Sequence, residues 1–151
     1  GGDSMRDADP KTLIRELDLS DVVHEVGFAS DLSDFIDWIY TADVVVNLRY
    51  PTVGESSSSA LRAMAAGRSV IVFDHGWYGE LPEEAVLKVP PLDQERLLDA
   101  MVRLAQSSDM RLQVGQAARH YAVEVCNPSK LSSAYYSALR ASLKYHQKRY
   151  A

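Results

Sequence analysis

The sequence predicts an α/β domain of the Rossmann-like kind, a parallel sheet with helices on both faces followed by a helical carboxyl-terminal tail. Three observations carry that expectation. Short β-branched, apolar runs alternate with amphipathic stretches as far as Val89. The central runs are continuously apolar instead of alternating with period two, as strands covered on both faces require. Beyond Asp93 only helical patterning remains.

Taken in order, Val22 to Phe28 reads as a first strand and Asp43 to Arg49 as a second. Between them, Asp31 to Ala42 places Leu32, Phe35, Ile36, Ile39 and Tyr40 at helical spacing. Glu55 to Ala66 is helix-patterned, and Gly67 stands where a left-handed helix stop belongs. Ser69 to Phe73 is a third strand; Ala85 to Val89 is a short fourth, closed by Pro90 and Pro91. Three helices follow. Glu95 to Gln106 is the first, and Asp109 to Val125 the second, with Met110, Val114, Ala117, Ala118, Tyr121 and Val125 on one face. The third runs from Ser129 to Arg149, with Leu131, Ala134, Tyr135, Ala138, Leu139 and Leu143 expected to turn inward. At the amino end, Gly1-Gly2-Asp3-Ser4 has the chemistry of a strand-to-helix turn with its strand missing. The expectation is therefore one domain, 1–151, that begins inside a larger protein and lacks its first strand-helix unit.

Composition narrows the function. At 151 residues and 46% hydrophobic, the chain suffices for one core. A net charge of -5 argues against nucleic acid as a partner, because phosphate contacts need clustered Lys and Arg. The single cysteine, Cys126, forms no internal disulfide, and no Cys/His spacing suggests a metal, which fits a reducing, cytoplasmic setting. No apolar run approaches the roughly 20 residues of a membrane span. The basic, aromatic end, Lys144 to Tyr150, suits peripheral contact with an anionic membrane surface. A solvated helix end favoured by the macrodipole explains the same residues more cheaply.

The chemistry concentrates between Asn47 and Phe73. A polar loop containing Gly54 joins the carboxyl end of a strand to a helix start, the position where open α/β sheets bind ligands. First-turn amides and the hydroxyls of Ser56, Ser57, Ser58 and Ser59 would offer donors to a phosphate or diphosphate. The same serines also suit simple capping. On a helix beginning near Glu55, that residue and Arg62 would lie about 20° apart in projection and share a face. Taken alone, Arg62 reads equally as a solvated helix charge. Glu80 and His75 sit in the loop after the third strand, which lines the same cleft; capping of the next segment is the plainer role for Glu80, and a structural or exposed place for His75.

The loop and helix resemble the signature of the family 4 retaining glycosyltransferases, Pro-Ser-x-x-Glu-Gly-Phe-Gly followed by Glu-Ala-Met-Ala-x-Gly-x-Pro-Val. The matches are Pro51, Thr52 and Glu55, then Ala63, Met64, Ala65, Gly67 and Val70. Arg62 replaces the second glutamate, Ser69 the proline, and serines the Gly-Phe-Gly. The resemblance implies the carboxyl-terminal half of a GT-B fold that binds a nucleotide sugar and transfers the sugar with retention, without a metal or other cofactor. It further implies that Glu55 is catalytic and that Glu80 lies on the donor side; the loop's own donors, Gly54, Ser56, Ser57 and Ser58, with Arg62 over them, are expected around the diphosphate and sugar. An amino-terminal domain of the same full-length chain would bring the acceptor, so the fragment alone is expected to be inactive. A competing reading is a non-catalytic Rossmann-like module for phosphate ligands or a protein partner. A dinucleotide-dependent oxidoreductase is disfavoured, since no Gly-x-Gly-x-x-Gly follows a strand.

Overall fold

The computed structural model describes residues 9–149. The turn expected at Gly1 to Ser4 lies outside the described residues, as do Tyr150 and, Tyr145 excepted, the side chains of the basic run that precedes it. Two compact units form, Gly1–Asp34 and Phe35–Ala151.

In the first unit, α1 (Pro10–Glu16) starts where Asp9 accepts the N–H of Lys11 at 3.4 Å and Pro10 takes the first helical position. The expected strand from Val22 to Phe28 does not form: residues 23–29 have no regular structure, and Phe28 is 93% exposed. An apolar run becomes a strand only where a neighbour offers N–H and C=O groups to it, and residues 9–34 contain no such neighbour. At the end of this unit Asp31 accepts both the N–H and the hydroxyl of Ser33 at 2.9 Å, and α2 (Leu32–Thr41) begins. Those bonds, the backbone one foremost, hold the Asp31 carboxyl below its ordinary range.

The second unit is built on three parallel strands, β1 (Val44–Asn47), β2 (Ser69–Phe73) and β3 (Leu87–Val89), in the order β1-β2-β3. Asn47 lies opposite Val72, and Phe73 opposite Val89. The fourth expected strand is shorter than Ala85 to Val89 because the Ala85 N–H closes a turn onto Pro82. Every residue of β2 is buried, and the strand's two-residue period sends neighbours to opposite cores. Val70 and Val72 pack with Ala60, Ala63 and Met64 of α3 (Ser58–Ala65) and Ala118 of α5 (Ser108–His120). Ile71 and Phe73 pack with Val89 and with Ala100 and Leu104 of α4 (Gln94–Gln106). That two-sided burial is the physical origin of the uninterrupted apolar run.

Gly67, at φ +72°, ends α3. Its N–H reaches the Met64 carbonyl at 2.9 Å, and the Arg68 N–H reaches that of Ala63 at 3.0 Å, the two bonds of a Schellman stop. Next to this turn α5 passes so close that a Cβ on Gly115 would run into the Gly67 carbonyl. Helix α5 also supplies side chains to both layers: Arg119 donates to Ala65 O at 2.6 Å, and Arg111 donates to Leu104 O at 2.6 Å. The Ser69 hydroxyl, at the start of β2, donates to Arg111 O at 2.8 Å.

Two helical expectations change. The stretch from Asp109 to Val125 is not one helix, since α5 gives way at Tyr121 to a π-helical turn, Tyr121–Val125, whose closing bond runs from Cys126 N–H to Tyr121 O at 3.1 Å. Helix α6 (Pro128–Arg149) forms, yet its apolar face is not turned inward: Leu131, Tyr135, Leu139 and Leu143 all remain exposed. Periodicity shows which face avoids water without supplying a surface to cover it, and no described element does so. No helix among the described residues is long and apolar enough to cross a membrane.

Candidate functional site

The carboxyl ends of the strands carry a cleft whose parts come from β1, the loop after it, and the start of α3. Strand β1 stops at Asn47, and the chain continues through Leu48 and Arg49 into a loop with a cis Tyr50–Pro51 bond. Gly54 turns the loop at φ +93°, a left-handed value that a side chain would strain.

Glu55 closes this loop on itself. One carboxylate oxygen accepts the Val53 N–H at 2.9 Å, and the other lies 3.1 Å from Nη1 of Arg49. Bonding to its own backbone N–H, then to that of Val53, and to a lesser degree the Arg49 charge, hold the Glu55 carboxyl below the ordinary glutamate range. The charged form is thus the one the folded loop prefers. Loop order is then fully present above the pKa of an unrestrained glutamate and is lost as pH falls through the lowered value. A carbon-13 titration of the Glu55 carboxyl is expected to give a midpoint below that of an unrestrained glutamate; a midpoint at or above it would discard the clasp.

Ser57 marks the true helix start. Its backbone is extended (φ -99°, ψ 111°), and its Oγ accepts the Ala60 N–H at 3.2 Å as the N-cap of α3. The helix therefore begins at Ser58, three residues later than the pattern suggested, and the expected common helical face of Glu55 and Arg62 does not exist. Glu55 belongs to the loop.

Val46, Asn47, Leu48 and Arg49 form one wall of the cleft; Ser57 and Ser59 form the other, with Tyr78 completing a space of about 330 Å³. That volume falls inside the ordinary range of small-molecule sites. Tyr78 is buried and donates from its hydroxyl to Asn47 Oδ1 at 2.8 Å, tying the strand end to the 3₁₀ turn Gly76–Glu80. Lys88 holds that turn from below, donating to Gly79 O and to Glu83 Oε1, each at 2.8 Å. The two loops also meet directly, because a Cβ on Gly76 would run into Oγ1 of Thr52, and the His75 ring stands edge-on to Tyr50 with centroids 5.0 Å apart.

Of the residues singled out from the sequence, Ser57 and Ser59 lie in the cleft wall, while Gly54, Glu55, Ser56 and Ser58 belong to the loop and helix start beside it, outside the lining. Arg62 stands in the last turn of α3, partly exposed and outside the walls. Glu80 is exposed at the end of the 3₁₀ turn; the Tyr121 phenol is pushed up by burial first, then by Cys126, with a smaller contribution from the Glu80 charge. Glu80 is not a wall of the cleft either. Sequence reasoning passed over Asn47, Arg49 and Tyr78. Asn47 and Arg49 fall within the expected strand run, and a polar residue at the last positions of a parallel strand is itself a signal. Among the described residues no group of three or more His, Cys, Asp and Glu side chains converges to hold a metal ion.

The cleft thus combines helix amides, hydroxyls, an amide side chain and a guanidinium, a set suited to an anionic ligand with polar substituents. A family model described as glycosyl transferases group 1 matches residues 1–107. No curated protein matches the chain. Among solved structures, the chain is similar to a sucrose-phosphate synthase from Thermosynechococcus elongatus, with a TM-score of 0.71 and 26% identity, covering 89% of this chain and 34% of that one. It is also similar to the C-terminal domain of a glycosyl transferase group 1 family protein (LpcC) from Francisella tularensis, with a TM-score of 0.66 and 22% identity, covering 76% of this chain and 58% of that one. The second likeness speaks to the fold alone. The chain spans less than two thirds of either structure.

Proposed function

Because the chain belongs to the glycosyl transferases group 1, we infer that it is the donor-binding half of a two-domain GT-B enzyme of family 4. In this reading the whole enzyme transfers a sugar from a nucleotide diphosphate to an acceptor with retention at the anomeric carbon. The observation that carries the reading is the cleft itself, set where β1 ends against the amino end of α3.

The chemistry follows from charge. As the sugar becomes oxocarbenium-like, the leaving diphosphate gains negative charge, and preorganised donors at a helix start stabilise it more than they stabilise the ground state. The first-turn amides of α3 and the hydroxyls of Ser56, Ser57 and Ser58 are assigned that task, with no metal taking part. Gly54 lets the loop backbone approach the ligand, and Glu55 is assigned to the sugar side. Arg62, on the helix that follows the loop, and Glu80, on the strength of the resemblance, are assigned as further donor contacts, although neither lines the cleft. The acceptor is brought by an amino-terminal domain of the same enzyme, in the cytoplasm or at the inner face of the membrane.

Calorimetric titration of the full-length protein with UDP, GDP and ADP, followed by a sugar-donor screen, tests this. One nucleotide is expected to bind in preference, and its sugar conjugate to be turned over. If none of the three binds and no donor is consumed, the reading fails. A non-catalytic phosphate-binding module then takes its place, the alternative favoured by Arg62 standing where the resembled signature has its second glutamate.

A further inference from the structure

Among the described residues, Arg49 is the only cation in the cleft walls. It is paired with Glu55, the residue assigned to the sugar, and the two side chains are 56% and 35% exposed. An exposed pair of this kind is weak and easily exchanged. A diphosphate carries more charge than a carboxylate and fits the planar guanidinium fork with two parallel hydrogen bonds. The root of Arg49 is rigid, since Leu48 before it packs against the core of Ile71 and Phe73. Backbone N–H groups, its own and that of Val53, hold the Glu55 carboxylate beside Arg49, so loss of Arg49 would remove one partner and leave an oxygen on the Val53 N–H.

We propose that Arg49 is a ligand of the donor's diphosphate and that Glu55 is its stand-in anion, displaced from the guanidinium when the diphosphate arrives. This rests on the reading that the cleft takes a nucleotide sugar. The exchange links the two ends of the donor: capture of the diphosphate frees one oxygen of Glu55, which then accepts a hydrogen bond from a sugar hydroxyl. Without donor, the carboxylate stays occupied and the site carries no unpaired charge.

The test is a calorimetric titration of the full-length protein with whichever of UDP, GDP and ADP binds it, using wild type, R49M, R49K, E55Q and the R49M/E55Q pair. Loss of the charged, forked donor in R49M is expected to weaken binding by about 10-fold, with R49K in between. E55Q removes the competing anion and is expected to tighten binding by about 3-fold. That gain disappears in the R49M background, which a merely structural role for Glu55 does not predict. Binding by R49M equal to wild type, or weaker binding by E55Q, overturns the exchange while leaving the donor site in place. Failure of the wild-type protein to bind any of the three nucleotides overturns both.

Discussion

In the full-length enzyme, replacing Glu55 and Ser57 together by alanine is expected to lower sugar transfer by at least ~10²-fold, the scale of a lost charge-stabilising donor. Ser57 has two duties that the double variant removes at once. Its Oγ accepts the Ala60 N–H, so its loss frays the first turn of α3, from which Ser59 also lines the cleft. The same hydroxyl keeps its hydrogen to donate to an anion in the cleft. Glu55 contributes the loop closure through Val53 and Arg49 as well as its assigned place at the sugar. Loss of the cap alone costs about 1 kcal/mol of stability, so a melting curve on the same samples separates unfolding from lost chemistry. Glu55→Ala leaves the cap intact and isolates the loop's share. Unchanged turnover in the double variant, with the fold preserved, would remove the donor assignment.

Gly115→Val is expected to destabilise the second unit by about 1–3 kcal/mol or more, through overpacking against backbone that has no room to yield. The added Cβ meets the carbonyl of Gly67, which is already fixed by the left-handed turn that ends α3. Relief requires α5 to back away, breaking the bond from Arg119 to Ala65 O and loosening Ala118 from the core. The sign of Gly115→Ala is the sharper criterion. At an unobstructed helical position alanine gains about 1 kcal/mol over glycine, whereas here it should lower the melting temperature. A stabilised alanine variant would show that the two backbones do not approach as described.

The candidate site was legible in outline and blurred in detail. A glycine-containing polar loop between a strand and a helix pointed to the end of the sheet where the cleft lies, because that arrangement depends on residues close in the chain. The helix start was misjudged by three residues, since Glu55 suits a first turn as well as it suits a loop, and only the Ser57 cap distinguishes them. Tyr78 escaped notice because nothing nearby in sequence announces that its hydroxyl meets Asn47, 31 positions earlier. Glu80 lies at the end of the 3₁₀ turn after β2, exposed and outside the cleft lining.

What the order of residues determined by itself was the set of structures that close within a few positions: the helical faces of α2, α4 and α5, the uninterrupted apolar run of β2, and the stop at Gly67 with its two short-range bonds. Tertiary structure alone decided everything that needs a distant partner. It left Val22 to Phe28 without a ladder and the apolar stripe of α6 uncovered, and it brought Tyr78 onto Asn47 and Gly115 onto Gly67. Local bonding is set by backbone dihedrals and side-chain spacing, which neighbours specify; burial and pairing require a second surface, and no pattern within one segment can supply it.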